Sequence, residues 1–403
     1  MANPMIHLFS RAVNRCRTRV PRSYFAWMLA AVGCALPADS LAIPLYARST
    51  AASCIDCHSL PPKLNARGEA FLARGYRRAT ESGREAAFPV SLWVTGRREE
   101  RSANNLQDVF LPKVELLSGG PIGKLPLSYF AEWRVVSLEL QNNGTLRDRS
   151  GRFEDVILNW EFNDRHALRM GQFRALNQYD VSLRLSVSEP AVFSTALPGD
   201  VAGGNSRITG LRGFAPSGRS PGFAYTFKSI AGPSASDGLF HTATLPFVGE
   251  LSAPLSSKAR REASFELEGP VKGVFLETFY RRGLNSIGAH AFLDNGRRIV
   301  TGVARFRRGD FHGTAALGMD DASGRSSRTR SSLELEYISE RFERVRAGAG
   351  FRMEQITRAG RDPAYIPYVV LSGPNTTHTF VLQIESRFQG STRTLLIDLS
   401  SLF

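Results

Sequence analysis

The chain has 403 residues and a formal net charge of +14 at neutral pH, from 51 Lys and Arg against 37 Asp and Glu. This length allows one large barrel or two ordinary domains. Most of the excess charge comes from arginines scattered along the chain, without a run or interleaved aromatic residues. A basic chain can indicate a nucleic-acid partner, but none is expected here because the N-terminal residues predict export.

The first 42 residues have the pattern of a signal peptide. A stretch with five arginines precedes the apolar run YFAWMLAAVGCAL, and Ser40 and Ala42 supply the small residues that a signal peptidase needs. The run is shorter than the roughly 20 residues of a membrane-spanning helix. Cleavage after Ala42 and export are therefore predicted. An uncleaved anchor is one alternative. A lipoprotein with Cys34 lipidated is a weaker one, because Ala31 stands where a larger aliphatic residue is usual.

The remaining cysteines form one motif. Cys16 and Cys34 leave with the leader, so only Cys54 and Cys57 are left, and two cysteines do not make a disulfide scaffold. Cys54-x-x-Cys57-His58 is the attachment signature of c-type haem, in which the thiols bind the haem vinyl groups and the histidine binds iron. One covalently bound haem c is predicted, with His58 as an axial ligand. A single haem needs a partner for any longer electron path.

Three alternative roles of the motif compete with haem attachment. A thioredoxin-like pair needs a βαβ context, which does not surround these residues. A zinc site needs a further Cys or His nearby, whereas the next histidine is His166. A structural disulfide leaves His58 without a role.

The residues around the motif follow a second pattern. The pattern comprises Pro44, Tyr46, Ala47 and Arg48 before the motif, and Pro62, Leu64, Asn65, Gly68, Phe71, Gly75 and Tyr76 after it. This stretch resembles the N-terminal segment of fused outer-membrane cytochrome–porins, the family that includes iron-oxidising outer-membrane c-type cytochromes. The resemblance implies a short, α-helical monohaem cytochrome segment at residues 43–84, with Leu64, Asn65, Phe71 and Tyr76 around the haem. It also implies a periplasmic electron carrier, such as another cytochrome, and an extracellular electron donor or acceptor, with Fe(II) as one candidate.

From about residue 85 onward, apolar and polar side chains alternate in segments of roughly ten residues between turns, as in transmembrane β-barrels. Leu333, Leu335 and Tyr337 alternate with Glu334 and Glu336, for example. Residues 85–403 are predicted to form a mainly β, porin-like barrel of about 14–18 strands in the bacterial outer membrane, at roughly 20 residues per strand and turn. A soluble β-sandwich or β-helix alternates too and is the competing fold.

Two further features favour the barrel. Phe403 ends the chain, with Leu395, Ile397 and Leu399 on its face, as in barrels recognised by the outer-membrane insertion machinery. The Gly/Pro/Ser-rich stretch at 195–222 is predicted to be an extracellular loop or a plug of the lumen.

The alternation also ranks candidates for a second ligand of the haem iron. Met170, Met319 and Met353 share the apolar row of their segments and are predicted to face lipid. His312 lies on the opposite row, so it is the leading barrel candidate for the distal ligand. The competing interpretation is a solvated lumen histidine.

These features predict outer-membrane electron transfer by one c-type haem held in or beneath a porin-like barrel in the lipid bilayer. Whether the chain is also an iron oxidase is open. One alternative is an anion-favouring porin whose plug or sensor carries the haem. A weaker alternative is a soluble periplasmic redox protein with a β-sandwich tail.

Overall fold

The computed structural model describes residues 46, 53–76, 90–177, 183–193, 219–234, 236–250, 266–270, 273–294, 297–322, 327–339, 345–357, 362–373 and 379–402. The predicted signal peptide, Phe403 and positions 195–218 lie outside these residues. The rest of the predicted loop or plug, residues 219–222, is instead the start of the strand Arg219–Ala231. Among the described residues, no helix combines the length and the hydrophobicity that crossing a membrane requires.

Sixteen antiparallel strands in the described residues close into one barrel. Two short strands, β12 (Glu266–Pro270) and β13 (Gly273–Arg282), pair with successive parts of β11 (Gly238–Glu250) and count as one. The barrel strands are β3 (Val90–Arg101), β4 (Leu106–Pro121), β5 (Leu127–Val136), β8 (Arg152–Asn163), β9 (His166–Arg174), β10 (Arg219–Ala231), β11 (Gly238–Glu250), β12 (Glu266–Pro270), β13 (Gly273–Arg282), β14 (Asn285–Asp294), β15 (Arg297–Arg308), β16 (Phe311–Ala322), β17 (Arg328–Ser339), β18 (Arg346–Ile356), β19 (Ala364–Gly373), β20 (Thr379–Gln389) and β21 (Thr392–Leu402). The barrel closes where β21 pairs with β3, and the predicted range of 14–18 strands is confirmed.

Side chains of the barrel wall alternate between an apolar outer surface and a polar lumen. On β17, Leu333, Leu335 and Tyr337 point outward, and Leu335 is 50% exposed. Between them Glu334 and Glu336 point inward, where Glu336 is only 3% exposed. A soluble β-sandwich would bury the apolar row, so this arrangement excludes that alternative and is that of a membrane-spanning barrel.

The two ends of the barrel differ in the length of their connections. At the end where β3 begins and β21 finishes, no connection between the described strands exceeds six residues, and 164–165, 283–284 and 309–310 have two each. The opposite end has the long connections 137–151 and 175–218. In outer-membrane barrels, short turns are periplasmic and long loops are extracellular. The end with the short connections is called the short-turn end, and the opposite end is called the long-loop end.

Residues 53–76, the plug segment, precede the barrel and occupy the lumen at the short-turn end. They form α1 (Cys54–Cys57), β1 (His58–Leu60), β2 (Lys63–Leu64) and α2 (Ala66–Ala73), with β1 and β2 paired antiparallel. The segment contacts β20 near Cys54, β17 at Lys63 and β15 at Glu69. It therefore crosses the mouth of the barrel from one wall to another.

A second piece of chain enters the lumen from the long-loop end. Residues 183–193, the inner loop, belong to the connection between β9 and β10. The amides of Val187 and Ser188 donate to the carboxylate of Glu385 on β20, and that of Ala191 donates to Glu354 on β18. Wall carboxylates thus satisfy backbone donors that would otherwise be buried without partners. At the same end, β6 (Leu138–Leu140) and β7 (Leu146–Asp148) form a separate hairpin.

Candidate functional site

The two cysteines of the motif lie in a single helical turn. The carboxylate of Asp56 accepts hydrogen bonds from the amide and the hydroxyl of Ser53, at 2.8 and 3.0 Å, which fixes the start of α1. Cys54 and Cys57 form no disulfide with each other. The turn therefore presents two thiols three residues apart, followed directly by His58.

The ring of His58 is held in one orientation. Its Nδ1 donates to the backbone carbonyl of Pro62 at 2.9 Å. A carbonyl only accepts, so Nδ1 carries the proton and Nε2 is left with its lone pair. Burial lowers the pKa of His58 to about 4, although hydrogen bonds to the backbone at Pro62 and Lys63 act in the opposite direction. The imidazole is thus neutral at neutral pH, as a metal ligand must be.

Cys54 lies against the barrel wall. The hydroxyl of Thr379, the first residue of β20, donates to the Cys54 Sγ at 3.1 Å. Burial raises the pKa of the Cys54 thiol, more than this hydrogen bond lowers it. The thiol is therefore held as a neutral, fixed group and not as a reactive thiolate.

Asn65 connects the motif to α2. Its side-chain oxygen accepts from the amide of Gly68 and caps the helix, while its Nδ2 donates to the carbonyls of Ile55 and Asp56. Its own amide donates to the carbonyl of Cys57 at 2.9 Å. One asparagine thus sets the position of the helix relative to the cysteine turn.

Gly68 allows this close approach. A Cβ at this position would lie 2.1 Å from the Cys57 carbonyl oxygen, a backbone atom that cannot rotate away. We expect Gly68→Ala to separate α2 from the motif and to cost about 1–3 kcal/mol in the stability of the plug segment. Limited proteolysis of the folded barrel should then release the segment faster than in the wild type. The control variant Ala66→Ser, at an exposed position of the same helix, should be cleaved at the wild-type rate. Equal cleavage rates for the wild type, Gly68→Ala and Ala66→Ser would contradict the role given to Gly68.

Aromatic rings join the plug segment to strand β5 of the barrel wall. The rings of Tyr46 and Tyr76 stack with centroids 5.4 Å apart, and Phe71 meets Tyr46 edge-on at 4.9 Å. Tyr76 also stacks on Phe130 of β5 at 4.7 Å. Tyr76 has a φ of 68°, so the chain turns sharply here after α2. Such pairs contribute about 0.5–1.5 kcal/mol each beyond the area that they bury.

A buried ion cluster anchors α2. Glu69 is 1% exposed, and its carboxylate lies 2.6 Å from Arg305 on β15 and 3.2 Å from Arg281 on β13. Burial by itself raises the pKa of Glu69, but the two guanidinium groups outweigh it, and the net pKa is below its ordinary value. The carboxylate is therefore ionised at neutral pH, and this anchor weakens only as the pH falls through that lowered pKa.

The other anchor of the plug segment is Lys63. Its ammonium group donates to the carboxylate of Glu336 on β17. The other oxygen of that carboxylate accepts from the amide of Leu185 in the inner loop at 3.0 Å. Leu60 of the plug segment and Leu185 of the inner loop also both pack against Gly348 of β18. A Cβ added to Gly348 would lie 2.7 Å from the Leu60 side chain and 3.1 Å from that of Leu185. Glu336 and this apolar contact join the plug segment to the inner loop.

The remaining predicted residues are placed as follows. Leu64 pairs with His58 between β1 and β2. His312 points inward near the short-turn end, is 4% exposed, and its Nε2 has no hydrogen-bond partner. Its register partner on β17 is Glu336, so it lies beside the Lys63 anchor. Met319 and Met353 are exposed on the outer surface.

The sequence did not identify Lys63, Glu69, Arg305 or Thr379 as parts of this site. Charged residues at inward positions of strands were a usable signal, because each such charge needs a partner in the lumen. The partner itself could not be read from spacing, since Glu69 and Arg305 are 236 positions apart.

Comparisons with known proteins give structural likenesses only. No protein-family model matches the chain, and no curated protein does. The solved structures similar to it include the anion-selective porin from Comamonas acidovorans (10% identity, 78% of this chain and 98% of that chain, TM-score 0.49). Others are Salmonella typhi OmpF in complex with daunomycin (12%, 78% and 97%, 0.45) and the outer membrane channel DcaP of Acinetobacter baumannii (10%, 78% and 96%, 0.44). The likeness is one of overall shape.

Proposed function

We propose that the protein transfers single electrons at the outer membrane through one c-type haem, attached at Cys54 and Cys57 and ligated by His58. The observation that carries this proposal is the hydrogen bond from His58 Nδ1 to the Pro62 carbonyl. It leaves Nε2 as a fixed, neutral donor atom directly after the cysteine turn.

The residues present fit a covalent haem. Both thiols lie on one helical turn, and the ligand orientation is supported by a backbone partner, as expected of metal-binding histidines. When bound, haem c supplies a reversible one-electron carrier. The protein's own residues hold it in place: Asn65 and Gly68 fix the turn, and Glu69 and Lys63 tie the segment to the wall. His312 stays a proposal for the distal ligand.

The position of the plug segment favours a periplasmic partner on one side. It occupies the short-turn end, which is periplasmic in outer-membrane barrels. A soluble periplasmic electron carrier, such as another cytochrome, would meet the protein there. The extracellular donor or acceptor, with Fe(II) as one candidate, would reach it through the lumen from the long-loop end.

A second function is a pore that is closed by a haem-bearing plug. The barrel architecture supports a pore more directly than it supports electron transfer, because the fold alone provides the channel. The charges of the barrel wall give less support to a pore that prefers anions. Among the described charged side chains that are buried, twelve are carboxylates and seven are cationic, so the buried charges have no basic excess.

One pair of measurements separates these functions. We expect the haem-loaded, detergent-purified protein to show reduced haem bands when mixed anaerobically with ferrous iron in a stopped-flow spectrometer. Reduction by dithionite but not by iron would retain the cytochrome and remove iron as donor. A preparation without covalent haem would refute electron transfer.

The second measurement is conductance in planar bilayers. An open conductance with an anion-selective reversal potential would favour the porin.

A further inference from the structure

The two ends of the barrel differ in the balance of their exposed charges. Among the described residues, the exposed charged side chains at the short-turn end are five cations and one anion: Arg67, Lys124, Arg165, Arg282 and Arg308 against Asp164. Those at the long-loop end are four of each: Arg98, Arg147, Arg298 and Arg393 against Glu139, Asp148, Asp321 and Asp362. In this part of the chain, the basic excess of the exposed surface therefore lies at the end that holds the plug segment.

Four of these cations follow the rim of the barrel mouth. Lys124 lies in the connection between β4 and β5, Arg165 lies in the one between β8 and β9, and Arg282 and Arg308 are the last residues of β13 and β15. They thus mark four of five consecutive connections at the short-turn end. None of the four has an ion pair with a described residue, whereas Arg67 pairs with Asp56. Their charges are left to attract a partner from outside the chain.

The connection between β4 and β5 adds apolar surface to this rim. Ile122 is 36% exposed and Leu125 is 53% exposed. The turn is ordered, because the amide of Leu125 donates to the carbonyl of Ile122 at 3.2 Å. The carbonyl of Pro126 accepts from the amide of Glu161 on β8 at 3.0 Å, so the turn lies beside the strand that leads to Arg165. Apolar side chains bordered by charged ones are the usual composition of a protein–protein interface.

The same part of the rim lies beside the plug segment. Glu69 of α2 is held by Arg281 on β13 and Arg305 on β15. These two strands end at Arg282 and Arg308. A protein that docks on the rim would therefore lie next to the helix that follows the cysteine motif.

We propose that this surface docks a soluble periplasmic protein through an acidic patch on that protein. The surface, called the basic rim, comprises Ile122, Lys124, Leu125, Arg165, Arg282 and Arg308. The acidic character of the partner follows from the charges of the basic rim, and its identity as an electron carrier rests on the proposed function. Opposite charges steer two proteins together and set their orientation, which would bring the partner to the plug segment.

Anionic lipid headgroups are the competing ligand of the basic rim. Arg282 continues the outward row of Tyr280 on β13, which is 43% exposed, so it points toward the lipid side of the wall. Lys124 and Arg165 lie in turns beyond the strand ends. The turn position favours a soluble partner for these two residues, and they are the ones used in the test.

Binding of two soluble redox proteins of opposite charge tests the proposal. The probes are the haem domain of cytochrome b5, which is acidic, and mitochondrial cytochrome c, which is basic. The full, detergent-purified protein should bind cytochrome b5 saturably in thermophoresis, and cytochrome c at least about tenfold more weakly. Raising NaCl from about 20 to about 200 mM should weaken cytochrome b5 binding about tenfold. The absence of saturable cytochrome b5 binding, or equal binding of cytochrome c, would overturn the proposal.

Two double variants locate the docking surface. Lys124→Glu with Arg165→Glu should weaken cytochrome b5 binding about tenfold or more. Arg147→Glu with Arg393→Glu is the matched control, because it changes the net charge equally but at the long-loop end. The control should bind within about twofold of the wild type, since that end lies beyond the screening length. Equal losses in the two variants would reduce the effect to net charge and overturn the proposal; the mobility of unheated protein in gels checks their folding.

Lipid binding is measured separately. From mixed vesicles of phosphatidylcholine and phosphatidylglycerol, the wild type and the Lys124→Glu, Arg165→Glu variant should retain the two lipids in the same ratio. A loss of phosphatidylglycerol in the variant would assign these residues to lipid headgroups and overturn the proposal. The C54A/C57A variant should bind cytochrome b5 as the wild type does, so docking and the presence of haem are decided by different measurements.

Discussion

Replacing both motif cysteines, in C54A/C57A, should abolish covalent haem and leave the barrel folded. The thiols are the only groups of the turn that can form thioether bonds, whereas the barrel depends on pairing between strands that the substitutions do not touch. The Thr379 hydroxyl loses its contact with Cys54, a change of about 1 kcal/mol. Haem-dependent peroxidase staining in denaturing gels measures the covalent haem, and the mobility of unheated protein measures the fold.

The matched control uses the two remaining cysteines. C16A/C34A lies in the predicted signal peptide, so the exported protein should retain full haem staining. Haem staining of C54A/C57A at the wild-type level would show that the motif does not attach haem and would remove electron transfer from consideration.

Replacing Glu69 should weaken the attachment of the plug segment to the wall. Glu69→Ala leaves Arg305 and Arg281 facing each other in the lumen without their shared carboxylate. Breaking a buried ion pair in this way costs about 3–5 kcal/mol and removes the ion-pair contact of α2 with β13 and β15. We expect single-channel recordings in planar bilayers to show a larger or more frequent conductance than in the wild type.

Arg67 provides the control for this prediction. It lies on the same helix and pairs with Asp56 at 3.3 Å, but its side chain is 56% exposed. Exposed pairs contribute about 0–1 kcal/mol, so Arg67→Ala should leave the conductance unchanged. A conductance in Glu69→Ala no larger than in Arg67→Ala would contradict the anchoring role of Glu69.

The barrel was predictable because its signal is local and repeated. On β17 the alternation of Leu333 and Leu335 with Glu334 and Glu336 fixes which row faces lipid, and the structure has the same two faces. An alternation with a period of two residues can be recognised in the sequence without knowing which strands pair with each other. The range for the number of strands could be predicted from the chain length, because the thickness of the bilayer sets the length of each transmembrane strand.

The arrangement of the candidate site was predictable only in part. The spacing of Cys54, Cys57 and His58 is local, and so is the hydrogen bond from His58 to Pro62, four residues on. The contacts of Lys63 and Glu69 join residues more than 200 positions apart. Which wall charge meets which plug charge depends on the closure and register of the whole barrel, and no periodic pattern contains that information.

The plug segment precedes β3 in the chain, yet it lies inside a barrel that closes only when β21, the last strand, pairs with β3. Cys54 is buried between the segment and β20 in the finished protein. An enzyme that attaches haem needs access to both thiols, and it cannot work within a closed lumen. For the proposed haem this sets an order of biogenesis: the cofactor is joined to the unfolded chain in the periplasm, and the strands then assemble around it during insertion.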